Sequence, residues 1–462
     1  MATPDGSLRV PGSVHPYDRL PRVLTLWDAS MLIVASVVGS GIFFTPSQVA
    51  VLLPTGTLIL LAWVAGGLLS LAGAFANAEL GAMFPRAGGD YVYLREGIHP
   101  AAGFLVGWLS FFAIYAGTIA ALAVVFAEAL APHLGLSRGG ILGLASGLIV
   151  AVSWLNWRGT RLGAGLNNWT SVAKIAALLG FAAIAPIVGE GTLAPWFGTE
   201  ASARLARVEP ADVWVRFGQA LSPILFSYLG WNACVYVASE IRDPARNVPR
   251  SLFLGLGLCG ALYLLVNGVY LFALSPAALG QSVDAGEAAA RALFGGVGGS
   301  LVGVFVLVSV LGTLNATALV GPRIVYAMAL DGLFVRGVDR VHTGYRTPGV
   351  AIAVQAVVAI GLVLFLETFP NALNFTVFGI LLATSADTIA LFLLRVRQPE
   401  HPRPYRAWGY PWVPGVYLVA NLAIAGALLR GSPREAWTTL VLLAVGGGVY
   451  LVFSRRAAGP RP

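Results

Sequence analysis

Long apolar runs separated by short polar connections dominate this chain. Runs long enough to cross a hydrocarbon layer of about 30 Å occupy residues 24–48, 57–83, 101–131, 139–157, 167–189, 213–239, 250–274, 298–328, 348–368, 371–395, 413–430 and 436–454. The pattern predicts an all-α polytopic membrane protein with 12 transmembrane helices. The first run contains Val37-Val38-Gly39-Ser40-Gly41-Ile42-Phe43 at its centre. Each glycine costs a helix interior about 1 kcal/mol, and a plain membrane anchor gains nothing from them. A helix broken in mid-membrane is the better reading, and the N–H and C=O groups it frees must face protein, water or a ligand. The alternative is that the glycines serve only close helix packing.

A second interruption, Phe226-Ser227-Tyr228-Leu229-Gly230-Trp231-Asn232, stands in the sixth run. A weaker echo pairs Gly103-Phe104-Leu105-Val106-Gly107 in the third run with Gly299-Ser300-Leu301-Val302-Gly303 in the eighth, at a similar offset. These pairings predict two five-helix repeats, runs 1 to 5 and 6 to 10. Five is odd, so the second repeat enters from the opposite side and the repeats are inverted, with the broken helices meeting at the midplane. The expected organisation is an N-terminal segment 1–22, a first repeat 23–190, an external loop with the second repeat 191–397, a loop with the last two helices 398–456, and a tail 457–462. Between runs 2 and 3, residues 84–96 predict a turn and a short interfacial helix. Residues 287–294 predict a short helix over the outer vestibule, and the Arg395–Trp412 loop an interfacial anchor.

Composition supports the membrane reading: 57% of residues are hydrophobic and 11% charged, with mean hydropathy +0.78, against roughly 25% charged in soluble domains. The net charge of +8 does not point to nucleic acid, because the basic residues are scattered between runs. Most of them fall on the side that holds the N-terminus, which predicts cytoplasmic N- and C-termini by the positive-inside rule. The first 22 residues contain no apolar stretch of signal-peptide type. Cys234 and Cys259 lie inside apolar runs as packing residues. The histidines, at 15, 99, 133, 342 and 401, lie outside the runs or at their ends. No metal-ligand spacing or nucleophile constellation occurs, so no metal, no cofactor and no enzyme activity are expected.

The segment Val38-Gly39-Ser40-Gly41-Ile42-Phe43 resembles the first-span signature of the amino acid-polyamine-organocation (APC) superfamily. The segment 226–232, followed by Glu240-Ile241-Arg242-Asp243-Pro244-Ala245-Arg246-Asn247-Val248-Pro249-Arg250, resembles the pattern of its L-type amino acid transporters. Gly312-Thr313-Leu314-Asn315-Ala316, Arg323, Asp331-Gly332, and Arg403-Pro404-Tyr405-Arg406 running to Gly409-Tyr410-Pro411 extend the likeness over nearly the whole chain. The resemblance implies a LeuT-like fold and secondary transport of L-amino acids by alternating access, as an exchanger or a proton-linked carrier.

An amino acid presents a carboxylate and an ammonium close together. The N–H groups of Ser40, Gly41 and Ile42, at the start of a half-helix, suit the carboxylate. Carbonyls of Val37, Phe226 and Leu229 suit the ammonium, and Gly39 belongs to the same break. By resemblance Phe226 closes over the substrate as a gate while Trp231 and Asn232 support the pocket. The distal pocket is expected from Phe112, Tyr115 and Ala116 in run 3 and from Ile380, Leu381 and Thr384 in run 10. Leu229, Ile380 and Leu381 depart from animal members that take bulky substrates. With no acidic residue aimed at a substrate side chain, neutral amino acids are expected.

Lys174 is the only lysine among 29 basic residues, and it falls inside run 5. Arginine keeps its proton in proteins, whereas a desolvated lysine can release it. Lys174 also matches the span-5 lysine of related transporters. Its expected role is to replace a bound sodium, to brace span 5 against span 1, and to carry a coupled proton. Glu79 is expected at the cytoplasmic gate, and Asp387 either as a functional membrane carboxylate or as the partner of Arg395. Animal L-type members join a heavy chain through a cysteine between spans 3 and 4. Residues 132–140 contain none, which excludes a disulfide-linked heavy chain. The expected setting is a bacterial plasma (inner) membrane, with lipid and the amino acid as partners. A polyamine or amine permease and a non-transporting sensor are the alternatives.

Overall fold

In the computed structural model, which describes residues 18–189, 191–192, 209–282, 284–366, 369–431 and 433–457, Thr25 opens the first helix with a capping box. Its Oγ1 accepts from the Asp28 N–H at 3.2 Å, and the Asp28 carboxylate accepts from the Thr25 N–H at 2.8 Å. Helix α1 (Leu26–Val37) stops at the first glycine-serine break, and α2 (Gly41–Leu52) resumes at an angle of 46°. The first repeat continues through α3 (Gly56–Met83), the short α4 (Asp90–Gly97), α5 (Pro100–Leu109), a π-helical turn at Ser110–Tyr115, α6 (Ala116–Leu134), α7 (Arg138–Trp157) and α8 (Thr160–Val188).

The second repeat mirrors it. Helix α9 (Pro210–Tyr228) breaks at Leu229 and is followed by the short α10 (Ala233–Tyr236). Then come α11 (Pro244–Ala273), α12 (Pro276–Gln281), α13 (Ala285–Val320), α14 (Pro322–Leu330), α15 (Gly349–Leu366) and α16 (Phe369–Arg397). Two further helices, α17 (Trp412–Gly431) and α18 (Pro433–Ala457), complete the chain.

Packing shows the internal symmetry. Helix α3 lies along α11, and α7 along α15, as self-paired elements. The contact of α1 with α11 is matched by that of α9 with α3, and the contact of α8 with α13 by that of α16 with α6 and its π turn. Exchanging the first five spans for the next five maps one set of neighbours onto the other, as the five-plus-five reading requires.

All twelve apolar runs are helical, but among the described residues ten satisfy length and apolarity together, counting the bent α1/α2 pair as one. Helix α9 is 19 residues long but carries Asp212, Arg216 and Gln219 in its first half, which lowers its apolarity. Helix α15 is apolar over too few residues, Gly349–Phe365.

The short helix after run 2 is not interfacial. Gly88 and Gly89, at φ of +107° and +50°, turn the chain inward. Asp90, Tyr91 and Tyr93 are then buried, packed among α5, α14 and α16. Residues 285–294 do form a helix, set off from the rest of α13 at Gly295, whose φ of +72° breaks the axis.

The face that carries residue 18 is tied together across repeats. The Leu24 N–H donates to the Glu240 carbonyl at 2.9 Å, and the Arg242 N–H to the Leu24 carbonyl at 2.8 Å. Arg323 pairs with Glu240 at 2.7 Å with both side chains fully buried, and Thr160 Oγ1 donates to the same carboxylate at 2.8 Å. The Tyr91 hydroxyl donates to Asp331 at 2.6 Å, beside the Arg95–Asp331 ion pair.

Candidate substrate site

The two broken helices cross antiparallel at their breaks. A Cβ placed on Gly41 would stand 2.8 Å from the Ser227 Cα, and one on Gly230 would stand 2.9 Å from the Ser36 Cβ. One turn further along, Ser227 Oγ donates to Thr45 Oγ1 at 2.8 Å. Each glycine therefore sits where the opposite backbone comes closest, and Gly230 also holds a φ of +95°.

Side chains from three other spans satisfy the carbonyls freed by the first break. Lys174 Nζ donates to the carbonyls of Ala35 (3.1 Å) and Val38 (2.5 Å) and to Thr313 Oγ1 (3.1 Å). Thr313 Oγ1 also donates to the Ala35 carbonyl at 2.8 Å, and Ser309 Oγ to that of Val38 at 3.0 Å. The Tyr263 hydroxyl bridges the carbonyls of Val37 (2.7 Å) and Ser227 (2.9 Å), one from each break. The N–H groups of Ser40, Gly41 and Ile42 contrast with these carbonyls: they donate to no acceptor among the described residues.

A cavity opens on these N–H groups. Of the residues expected from the sequence, Val37, Gly39, Ser40, Gly41, Tyr115, Phe226, Leu229, Asn232, Ile380 and Thr384 line it. Ile42 does not line it and is buried in the main core. Four other expectations fail. Trp231 is buried in the main core, Ala116 faces the packed interior between α6 and α13, Phe112 packs tilted against Trp108 with ring centroids 4.2 Å apart, and Leu381 packs with Phe378 and Ala425. The Val37 carbonyl is also unsuited to an ammonium. It already accepts from the Gly39 N–H (2.8 Å) and shares the single Tyr263 hydroxyl hydrogen with the Ser227 carbonyl.

The π-helical turn explains how span 3 enters the wall. It replaces the regular ladder with an Ala116 N–H to Phe111 carbonyl bond. Thr376 Oγ1 donates to the Ala113 carbonyl at 3.2 Å, which ties the turn to α16.

Sequence reasoning missed Ser227, Thr118, Thr313, Thr317, Thr376, Tyr236 and Asp90, all of which line the cavity. The hydroxyls at 309, 313 and 317 recur at helical spacing in an apolar run, a signal that was available. Asp90 carried no such signal, because its burial depends on the inward turn at Gly88-Gly89. Its carboxyl accepts from the Tyr236 hydroxyl.

Glu79 lies away from the cavity. Its carboxylate is fully buried and accepts from Arg395 at 2.7 and 2.6 Å, from Arg403 at 3.1 Å and from the Ala407 N–H at 2.7 Å. It clamps the loop after α16 to α3. Arg395 is thereby committed to Glu79, and the alternative pairing of Asp387 with Arg395 is excluded.

Two helices broken where they cross, related by an internal repeat and opening on a buried cavity, define a secondary transporter of LeuT-like fold. The chain belongs to the amino acid permease family, whose model it matches over residues 24–450. It is similar to the serine/threonine exchanger SteT of Bacillus subtilis (strain 168), with 30% identity over 454 residues, 96% of this chain and 100% of the relative. It is also similar to the human large neutral amino acids transporter small subunit 2, with 27% identity covering 94% of this chain and 80% of the relative. The b(0,+)-type amino acid transporter 1 of Oryctolagus cuniculus is 27% identical, covering 93% of this chain and 87% of the relative. These relatives agree with the amino acid transporter expected from the sequence, in the L-type branch, and with the absence of an enzymatic role.

Proposed function

We propose that this protein carries small neutral amino acids across the membrane by alternating access, with exchange of one amino acid for another as its characteristic reaction. The observation that carries this reading is the set of free N–H groups at Ser40, Gly41 and Ile42, at the start of α2, where Ser40 and Gly41 line the cavity. They suit a carboxylate, helped by the partial positive charge of the helix start. The Leu229 carbonyl accepts from no described donor and the Phe226 carbonyl accepts only from the Leu229 N–H, which leaves both able to meet the ammonium. The hydroxyls of Thr118, Thr313, Thr317, Thr376 and Thr384 around the wall favour a short side chain with some polarity. The name of the Bacillus relative, a serine/threonine exchanger, supports the same size class.

In this reading Lys174 stands where a cation would otherwise hold span 5 to the break in span 1. Phe226 gates the outer side, and Glu79 and the Glu240–Arg323 pair hold the inner side closed. The protein is a multi-pass protein of the plasma (inner) membrane with both ends cytoplasmic. Both cysteines are fully buried, so neither can reach a heavy chain.

The test is counterflow. Purified protein in liposomes preloaded with serine, threonine, alanine or leucine should take up labelled serine faster than unloaded liposomes do. Uptake indifferent to internal amino acid, or competed by polyamines and not by neutral amino acids, would reject the proposal. Binding without any flux would identify a sensor.

A further inference from the structure

Asp90, at the start of α4 and on the cavity wall, and Asp387, in the middle of α16 and behind that wall, bring their carboxyl groups within hydrogen-bonding reach of each other where the two helices pack. Both residues are buried, at 1% and 0% exposure. The other buried acids described here are matched with arginine: Glu79 with Arg395 and Arg403, Glu240 with Arg323. This pair is not. The groups that face it are Asn77 of α3, which donates to Asp387 at 3.2 Å, Tyr93 of α4, Tyr115 of the π turn, Tyr236 of α10 and Tyr417 of α17. None of them is a base.

Each aspartate also has an Oδ1 that is buried and accepts from no donor among the described residues, and the buried Tyr93 hydroxyl beside them is likewise unpartnered. An ionised carboxylate only accepts hydrogen bonds, so a bond between two carboxyls requires a proton on one of them. Two buried carboxyls this close cannot both ionise, and with no cation beside them among the described residues the lower-energy arrangement is one shared proton.

We propose that the Asp90–Asp387 pair binds a proton that this carrier moves together with its amino acid. The proposal rests on the transport reading above and assigns its coupling ion. With the carboxyls together, one O–H bond on either aspartate is bridged to the other. When the two separate, or water reaches them, that O–H bond breaks, the proton passes to water and both groups are left ionised. Lys174, whose Nζ is held by three acceptors at the break, keeps the bracing role given to it above.

The experiment uses the full-length protein in liposomes that hold a pH-sensitive dye, with labelled serine as substrate. For one proton per substrate, an inside-alkaline gradient of about one pH unit should drive accumulation about tenfold, with a matching dye response. Asp387 does not line the cavity, so Asp387→Asn should keep counterflow within about twofold of wild type while losing both gradient-driven accumulation and the dye response. Wild-type accumulation by Asp387→Asn, or wild-type counterflow with no proton movement, would overturn the proposal and leave amino acid exchange standing. Absence of counterflow by the wild type would instead overturn the transport reading beneath it. If Asp387→Asn does not fold, the infrared spectrum of the wild type decides: a protonated-carboxyl stretch lost on alkaline titration supports the pair, and its absence rejects it.

Discussion

Replacing Gly41 by alanine tests the crossing of the two broken helices directly. Gly41 has no unusual φ, so alanine suits its backbone and the effect is steric alone. The new Cβ would lie 2.7 Å from Ser227 Oγ and 2.8 Å from the Ser227 Cα. Carbon atoms meet comfortably at about 3.5 Å or more, so one span must shift by roughly 0.7 Å against the other. The obstacle is backbone, and a side-chain rotation cannot relieve it. Overpacking of this kind costs about 1–3 kcal/mol, or about five- to 150-fold in the population of the native crossing. Because the free N–H groups begin at this crossing, the loss should appear in counterflow of labelled serine, as a raised KM, a lowered rate or both. Gly39→Ala should be milder, since its nearest neighbour is the Thr313 Oγ1 at 3.3 Å. Gly147→Ala, with nothing within 4 Å in α7, should transport normally and is the control. Wild-type KM and rate in Gly41→Ala, per unit of folded protein, would refute the steric argument.

Lys174→Ala removes three donors from the break, and hydrogen bonds to charged groups are worth about 1.5–3 kcal/mol each. Exchange should fall by at least about tenfold at every pH, and wild-type kinetics would eliminate the brace. Phe226→Ala should lower uptake more than it lowers the amount of folded protein, while unchanged turnover would leave Phe226 a packing residue. Asp284, the N-cap of α13 outside the spans, has its carboxyl pushed up to about 6 by burial. The folded protein then binds more protons than the unfolded chain between about pH 4 and 6, so stability falls as pH rises through that window. Asp284→Asn keeps an acceptor for the Glu287 N–H, now at 2.8 Å. It should raise the melting temperature above about pH 6 and change it little near pH 4, as followed by tryptophan fluorescence in detergent.

Much of the architecture was legible because membrane helices announce themselves locally. Twelve apolar runs became helices, and the breaks at Gly39-Ser40-Gly41 and Leu229-Gly230 fell where glycine interrupted them. Lys174 stood out because one lysine persisted among arginines. The errors share a different origin. Asp90 was placed at an interface because charge and aromatic residues flank it. The resemblance alone puts Trp231 in the pocket, whereas the turn at the break sends it into the core; Ala116 adjoins Tyr115, which lines the pocket, and a helix turns neighbours about 100° apart. The partner of Arg395 could not be read from its own helix, where Asp387 is near in sequence but Glu79 is near in space.

The sequence by itself determined the membrane class, the repeat and the two breaks, since each follows from burial in lipid and from the cost of glycine within a helix. Only the tertiary structure decided what the breaks do. It filled the Val37 carbonyl with Tyr263 and left the N–H groups of Ser40, Gly41 and Ile42 free. It also brought Asp90 against Asp387 without a cation. Hydrogen bonds and carboxyl pairs are contacts between distant parts of the chain, and local pattern carries no record of which distant groups will meet.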